Sequence, residues 1–533
     1  MKTVYHNGSV YTGTLPLAEA FGVEDGTFFF TGSNREALLL DADAFVDLKG
    51  AFVCAGFNDS HMHLLNYGQA LTIAPLHQHT GSLEDMVLCL KNTAPGRGGW
   101  ILGRGWNQDY FADCRRMPSR WDLDRVSACQ PVCAVRACGH ALSVNSRALE
   151  ILGITADTPQ PEGGQIQLEN GVPNGIFFDN AMDLVYAAFP APDREDLKNM
   201  IRAACSALNA RGITSVQSDD YCVFRNVPWQ EVNAAFQELE EAGELTVRVY
   251  EQANFTEVSA LQEFMADGNI TGTGTDLFRI GPLKMLGDGA LGARTAYLSR
   301  PYADDPSTRG LSVFSPEEFD ALIACAHAGG MQCAIHCIGD SCLDLVLSSL
   351  EKAMTAYPRK EHRHGIVHCQ ITRPDQLRKI AELGLHIYAQ SIFLDYDIHM
   401  VNDRVGRELA RTSYSWKTLK NLGATVSNGS DCPVELPDVL AGIQCAVSRT
   451  DLAGTVPPYL PGEAFTVQEA LDSFTSGSAY ASFEEHCKGR ILPGMTADFV
   501  ILDRNPFAET VTNIRNIAVL ETFLRGNPLI NVS

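Results

Sequence analysis

Eight short and almost uninterrupted apolar runs, most of them followed by a helical segment, constrain this chain more than any other feature. They are AFVCAGF (51–57), ITSVQ (213–217), TVRVYEQ (246–252), GPLKML (281–286), QCAIHCIG (332–339), HGIVHCQ (364–370), LHIYAQS (385–391) and ATVSNGSD (424–431). Runs of this kind suit parallel strands covered on both faces, because a sheet with one wet face would alternate apolar with polar residues. Helices are expected around 197–211, 316–329, 341–356, 374–383, 415–422 and 467–480. Eight strands with intervening helices favour an α/β fold, a closed (β/α)₈ TIM barrel, over an open sheet.

Both ends of the chain read differently. Residues 1–55 alternate in a β manner, as TVYHNGSVYTG and FGVEDGTFFFTG, with Asn-Gly and Asp-Gly turn signals. The stretch GRILPGMTADFVILDRNPF (489–507) has the same character. Neither end is long enough to hold a core alone. They are expected to pair as a split small β-sandwich domain, 1–55 plus 484–533, leaving 56–483 to the barrel. The interval from about 70 to 195 is too long for one strand-to-helix connection. With apolar segments and aromatics of its own (GGWILGRGWNQDYF, ACQPVCAVRACGHALSVNSRAL), it reads as an inserted subdomain over the barrel mouth.

Charge removes several classes of partner. The formal net charge of −23 repels phosphate backbones, so neither nucleic acid nor an anionic membrane is expected to bind. No stretch reaches the ~20 apolar residues of a membrane span, and the first residues lack an apolar signal core. The 16 cysteines lie mostly inside apolar runs, where free Cys behaves as a small hydrophobe, so a reducing cytoplasm is the expected compartment.

The chemistry-bearing residues cluster at the ends of the runs. In His61-Met62-His63, residues i and i+2 of a strand share a face and can chelate one ion. The spacing alone is weak, because His77-Gln78-His79 and His362-Arg363-His364 repeat it. Position separates them. His61 and His63 follow the C-terminal end of a run, where barrel active sites lie. His77 and His79 sit in a turn-like segment, and His362 and His364 stand at the opposite end of their strand. His336 and His368 each end a run, and Asp431 closes SNGSD after the last one. Singly, each histidine reads as a hydrogen-bonded core residue and Asp431 as a helix cap.

Lys284 is the least expected residue, since a buried ammonium is costly unless paired or neutralised. As a neutral amine it can capture carbon dioxide, giving a carbamate that bridges two cations. Its plain alternative is a salt bridge to Asp288 or another acid. Together the six groups describe a site for a divalent metal, with zinc suited to nitrogen and oxygen ligands and manganese, iron or nickel as alternatives.

These motifs resemble the amidohydrolase superfamily, in its amidohydrolase-3, YtcJ-like branch, which includes N-substituted formamide deformylases. The resemblance is carried by AGFNDSHMHL (55–64), GITSVQSDD (212–220), KMLGDGALGARTAYL (284–298), HCIGD (336–340), VHCQI (367–371), SNGSDCPVE (427–435), FTVQEAL (465–471) and GRILPGMTADFVILD (489–503). RACGHALSVNSRALEILGI (136–154) adds to it. Ala290 departs from a commoner Ser, and Ser341-Cys342 from an Arg-Ala-type pair.

The resemblance implies that His61 and His63 hold the more buried ion. Carbamylated Lys284 would bridge it to a second ion on His336 and His368, and Asp431 would bind the first ion and act as general base. One or two ions per chain are compatible with the motifs, and a homodimer is expected. The implied reaction is hydrolysis of a C–N bond in a small molecule by metal-activated hydroxide. A hydrolytic deaminase or cyclic-amide hydrolase is the alternative, and an inactive barrel acting as a binding protein is the second. Trp106, with Tyr110 and Phe111, is a candidate wall of the substrate pocket, with the core of the insert as its alternative. His140, Asp288 and Arg294 are candidate polar contacts to substrate, each with a structural role as its alternative.

Overall fold

The computed structural model describes residues 1–137, 140–161, 163–224 and 226–529. Two compact units emerge, one of Met1–Leu64, Cys205–Cys222 and Phe236–Ser533, the other of Leu65–Ala204 and Val223–Ala235.

The first unit contains an eight-stranded parallel sheet: β1 Phe57–Met62, β2 Ile213–Ser218, β3 Arg248–Asn254, β4 Phe278–Leu286, β5 Cys333–Cys337, β6 Gly365–His368, β7 His386–Ala389 and β8 Thr425–Asn428. Neighbours in sequence are neighbours in space, and every pairing is parallel. The sheet curls into a nearly closed barrel. Just beyond β8, the Asp431 N–H donates to the His61 carbonyl at 2.8 Å, and the His63 N–H donates to the Cys432 carbonyl at 2.8 Å. This closure demands close approach: a Cβ at Gly429 would lie 2.5 Å from the His61 nitrogen.

One expected strand is divided. In the run 51–57, Phe52–Ala55 pairs with Phe499–Leu502 in a separate five-stranded sheet, and the barrel strand is the largely polar FNDSHM that follows. Hydropathy misses it because four of its six residues are polar, and some of these find partners far along the chain. Asp59, for example, accepts the Ser430 N–H at 3.0 Å and the Ser430 hydroxyl at 2.5 Å. The helix expected over 467–480 is likewise two short ones, Val467–Ser473 and Ser476–Ala481.

Strands from both ends of the chain form two further sheets, one of four strands within residues 2–47 and one of five that mixes residues 9–55 with 499–529. They share an aromatic core. Tyr5 stacks on Phe21 at 4.7 Å, Phe499 on Phe523 at 4.2 Å, and Phe21 meets Phe499 edge-on at 5.0 Å.

The second unit is built on a six-stranded sheet with a separate apolar cluster on each face. Strand Val132–Arg136 shows the alternation, with Val132 and Ala134 in one cluster and Cys133 in the other. No disulfide links the described cysteines. No helix among the described residues is long and apolar enough to cross a membrane.

Candidate metal centre

All eight barrel strands deliver a side chain or carbonyl to one place. His61 lies in β1 with His63 just past it, Lys284 in β4, His336 in β5, His368 at the end of β6, and Asp431 after β8. Asp431 Oδ1 lies 3.1 Å from His63 Nε2 and 3.4 Å from His61 Nε2. The ligand atoms of these three residues fall within 4.8 Å of one another. The His368 ring lies 5.7 Å from that of His61 and 4.4 Å from that of His336. Asp431 and His368 both hold left-handed backbone, with φ of 57° and 72°, a strain that tertiary contacts must maintain.

The remaining strands orient these groups. Each imidazole gives one nitrogen to a protein acceptor: His61 Nδ1 to Gln252 Oε1 at 2.8 Å, His63 Nδ1 to the Asp219 carbonyl at 3.0 Å, and His368 Nδ1 to Gln390 Oε1 at 2.7 Å. His336 is reversed, donating Nε2–H to the Gly289 carbonyl at 3.0 Å, with Asp288 Oδ1 at 3.4 Å. Three rings therefore offer Nε2 and the fourth offers Nδ1.

Lys284 is fully buried, and its ammonium lies 3.3 Å from Asp219 Oδ2, itself fully buried. The acid that pairs with Lys284 is thus Asp219 rather than Asp288. The same carboxylate accepts Asn254 Nδ2–H and the Cys222 thiol, each at 3.5 Å.

Electrostatics suit a cation. Burial, reinforced by Lys284, drives His61 well below the ordinary histidine range and lowers His368 to about 4. Burial, then His368 and Lys284, also keeps His336 neutral. Burial opposes charge on His63 too, but its hydrogen bond to Asp431 outweighs that and raises it to about 9. Burial would likewise raise Asp431, yet the His63 hydrogen bond and the nearby His61 and His368 hold its carboxyl well below the usual range. The neutral imidazoles of His61, His336 and His368, with the ionised Asp431, form a buried donor set that fits a divalent ion. His63 carries the one proton that such an ion would displace.

The candidate substrate residues Trp106, His140, Asp288 and Arg294 each have a protein partner. Trp106 is fully buried and donates its indole N–H to the Ala134 carbonyl at 3.0 Å, so it is core rather than pocket wall. Phe111 belongs to the same core, while Tyr110 is exposed. His140 is exposed, its Nδ1 3.1 Å from Asp179. Asp288 is committed to the backbone: it accepts N–H groups from Tyr297 and Gly339 at 2.8 Å and Ile338 at 3.0 Å, bracing the loops after β4 and β5. Arg294 pairs with Asp304 at 2.8 Å. Asp431 is no helix cap, since Asp438 caps Val439–Ser448 by accepting the Ala441 N–H.

Sequence reasoning did not single out Asp219, Gln252 or Gln390. Their signal was present, because each is a polar residue at the end of an otherwise apolar run. His79 pairs with Asp85 in a surface turn.

Comparison with known proteins follows the same lines. The amidohydrolase family profile, Amidohydro_3, matches residues 44–530. Putative amidohydrolase YtcJ of Bacillus subtilis (strain 168) is 32% identical, over 99% of this chain and 99% of that protein. N-substituted formamide deformylase of Arthrobacter pascens is 25% identical, over 96% of this chain and 94% of the relative. The crystal structure of an uncharacterized metal-dependent hydrolase from Pyrococcus furiosus superposes with a TM-score of 0.78 at 30% identity, covering 95% of this chain and 100% of that one.

Proposed function

The chain belongs to the amidohydrolase family and is a metal-dependent hydrolase; on that premise we propose that it cleaves an amide-type C–N bond of a small molecule, with Asp431 as general base. The observation that carries this reading is the convergence of an ionised, buried Asp431 on the Nε2 atoms of His61 and His63, at 3.4 and 3.1 Å. His61, His63 and Asp431 would hold one ion, and His336 and His368 a second, with Lys284 as a carbamate between them. When bound, such an ion lowers the pKa of a coordinated water toward ~7 and polarises the scissile carbonyl.

The protein supplies the proton handling. Asp431 accepts a proton from the attacking water at its carboxylate and returns it to the leaving amine as the C–N bond breaks. Its ionised state at neutral pH leaves it free to do so. The left-handed backbone at Asp431 and the closure bond to the His61 carbonyl fix its direction toward the two imidazoles.

One observation favours a second reading. Lys284 faces Asp219 as an ion pair, and an ammonium cannot be carboxylated until it gives up its proton. With Lys284 left as an ammonium, the centre would hold a single ion, as suits a hydrolytic deaminase.

Elemental mass spectrometry on the unsupplemented protein tests both. Near two transition-metal ions per chain supports the bridged centre and directs a screen of N-acyl and N-formyl amines, the latter because a relative is a formamide deformylase. Near one supports the second reading. None, with no uptake from zinc and bicarbonate, overturns the enzyme assignment. Asp431→Asn should lower turnover about 10²–10⁴-fold, the range for a lost general base, with most metal retained; full activity would remove Asp431 from that role.

A further inference from the structure

Two glutamines sit behind the candidate ligands on strands that supply none themselves. Gln252 belongs to β3 and Gln390 follows β7, and both are fully buried. Gln252 faces His61 across 191 residues of chain, and Gln390 faces His368. Which end of each amide meets the ring is fixed by the other end. Gln252 Nε2–H donates to the Ser60 carbonyl at 3.3 Å, and Gln390 Nε2–H donates to the Tyr388 carbonyl at 2.9 Å. Reversing either amide would set its oxygen against a carbonyl oxygen and its N–H₂ against the imidazole nitrogen. Oε1 therefore points at Nδ1, so Nδ1 carries the proton and the lone pair lies on Nε2.

We infer that Gln252 and Gln390 are positioning residues of the metal centre, locking His61 and His368 in the one tautomer that presents Nε2 to an ion. The inference rests on the reading of His61 and His368 as metal ligands. Outer partners of ligating histidines commonly fix both ring orientation and tautomer, and a carboxylate or a backbone carbonyl often fills that place. Here both partners are neutral side-chain amides. A glutamic acid kept neutral by burial can accept the same Nδ1–H while its own O–H donates to the Ser60 or Tyr388 carbonyl, whereas an apolar side chain of similar length can do neither. Gln217 provides the internal comparison. It is equally buried in the same barrel and donates to the Ser478 carbonyl at 2.9 Å, but it touches no histidine.

The test is zinc affinity of the full-length protein, read by competition with a chromophoric chelator, with stoichiometry from elemental analysis. Gln252→Met and Gln390→Met are each expected to weaken zinc binding about 10–100-fold, the usual effect of losing such a partner. Gln252→Glu and Gln390→Glu, which restore an acceptor, are expected to bind within about threefold of the parent, as is Gln217→Met. Methionine variants that bind zinc like the parent, or glutamate variants as weak as the methionine ones, overturn the inference alone. A parent protein that takes up no zinc overturns the ligand reading and this inference with it. Should a methionine prevent folding, the glutamate variants decide. Affinity near the parent's supports the acceptor role, and a loss of more than about tenfold overturns it.

Discussion

At the C-terminal end of the barrel, His61 and His63 stand two residues apart. At the opposite end, beside the start of β6, His362 and His364 repeat the spacing. In the first cluster each imidazole gives one nitrogen to the protein and keeps the other directed at Asp431. In the second, the nitrogens are consumed in a chain. The Cys333 N–H donates to His364 Nδ1 at 2.9 Å, and His327 Nε2–H donates to the Tyr357 carbonyl at 2.7 Å. The 2.8 Å contact between His327 Nδ1 and His364 Nε2 must then run from His364 to His327, with both rings neutral. No lone pair remains on His327 or His364 for an ion, and His362 Nδ1 accepts the His364 N–H at 3.0 Å. Equal spacing with opposite outcomes teaches that a His-x-His pair becomes a ligand set only where backbone and amide partners leave one nitrogen unused.

Ligand replacement should break this comparison most sharply. His61→Ala is expected to remove about one zinc ion per chain and to lower turnover about 10²–10⁴-fold, checked by elemental analysis and kinetics. His364→Phe should keep zinc and turnover but strand the Cys333 N–H, costing about 1–3 kcal/mol in a urea melt. If His364→Phe released zinc, the two ends would not differ as described.

Acid should act next, on the depressed histidines of both clusters. Burial drives His364 well below the ordinary range and lowers His327, and it brings neighbouring His386 down to about 3. A depressed histidine binds its proton first in the unfolded chain. Its contribution to stability is therefore full above the unfolded value of about 6.5 and declines as the pH falls toward the folded value. In chelator, the urea midpoint should drop between about pH 6.5 and 4, and His386→Gln should flatten that fall. A midpoint that does not move over this range would mean these rings are already charged.

His63 has the opposite sign. Its pKa is raised to about 9, so its pairing with Asp431 stabilises the metal-free protein below about pH 6.5 and is lost as pH rises through 9. Zinc uptake at pH 7.5 should therefore release about one proton, measured by calorimetry in buffers of different ionisation enthalpy. Equal heats across buffers would show that His63 is already neutral. The smallest effect should come from Trp106→Phe in the second compact unit. It loses one indole hydrogen bond, worth about 1 kcal/mol of stability, with zinc affinity unchanged.

Much of the fold was legible because parallel strands buried on both faces must be apolar, and seven of the eight expected runs coincide with barrel strands. The exception, β1, is instructive. Its sequence FNDSHM is fully buried yet polar, and the burial of Asp59 is offset by Ser430, distant in the chain. The six candidate ligands were legible because they stand at or near the C-terminal ends of runs, on one side of the barrel. For Trp106 and Asp288 the sequence leaves a pocket role and a structural one open, because only the folded chain shows which partners take up their polar atoms.

By itself, then, the chain determines an alternation of strands and helices and the residue types at the strand ends, because both follow from local burial and period. Tertiary structure alone decides which histidines have a nitrogen to offer. That depends on the acceptor behind each ring, and for His61 the acceptor is 191 residues away. It also decides that Lys284 faces Asp219, because the curl of the sheet brings β2 and β4 together at one end of the barrel.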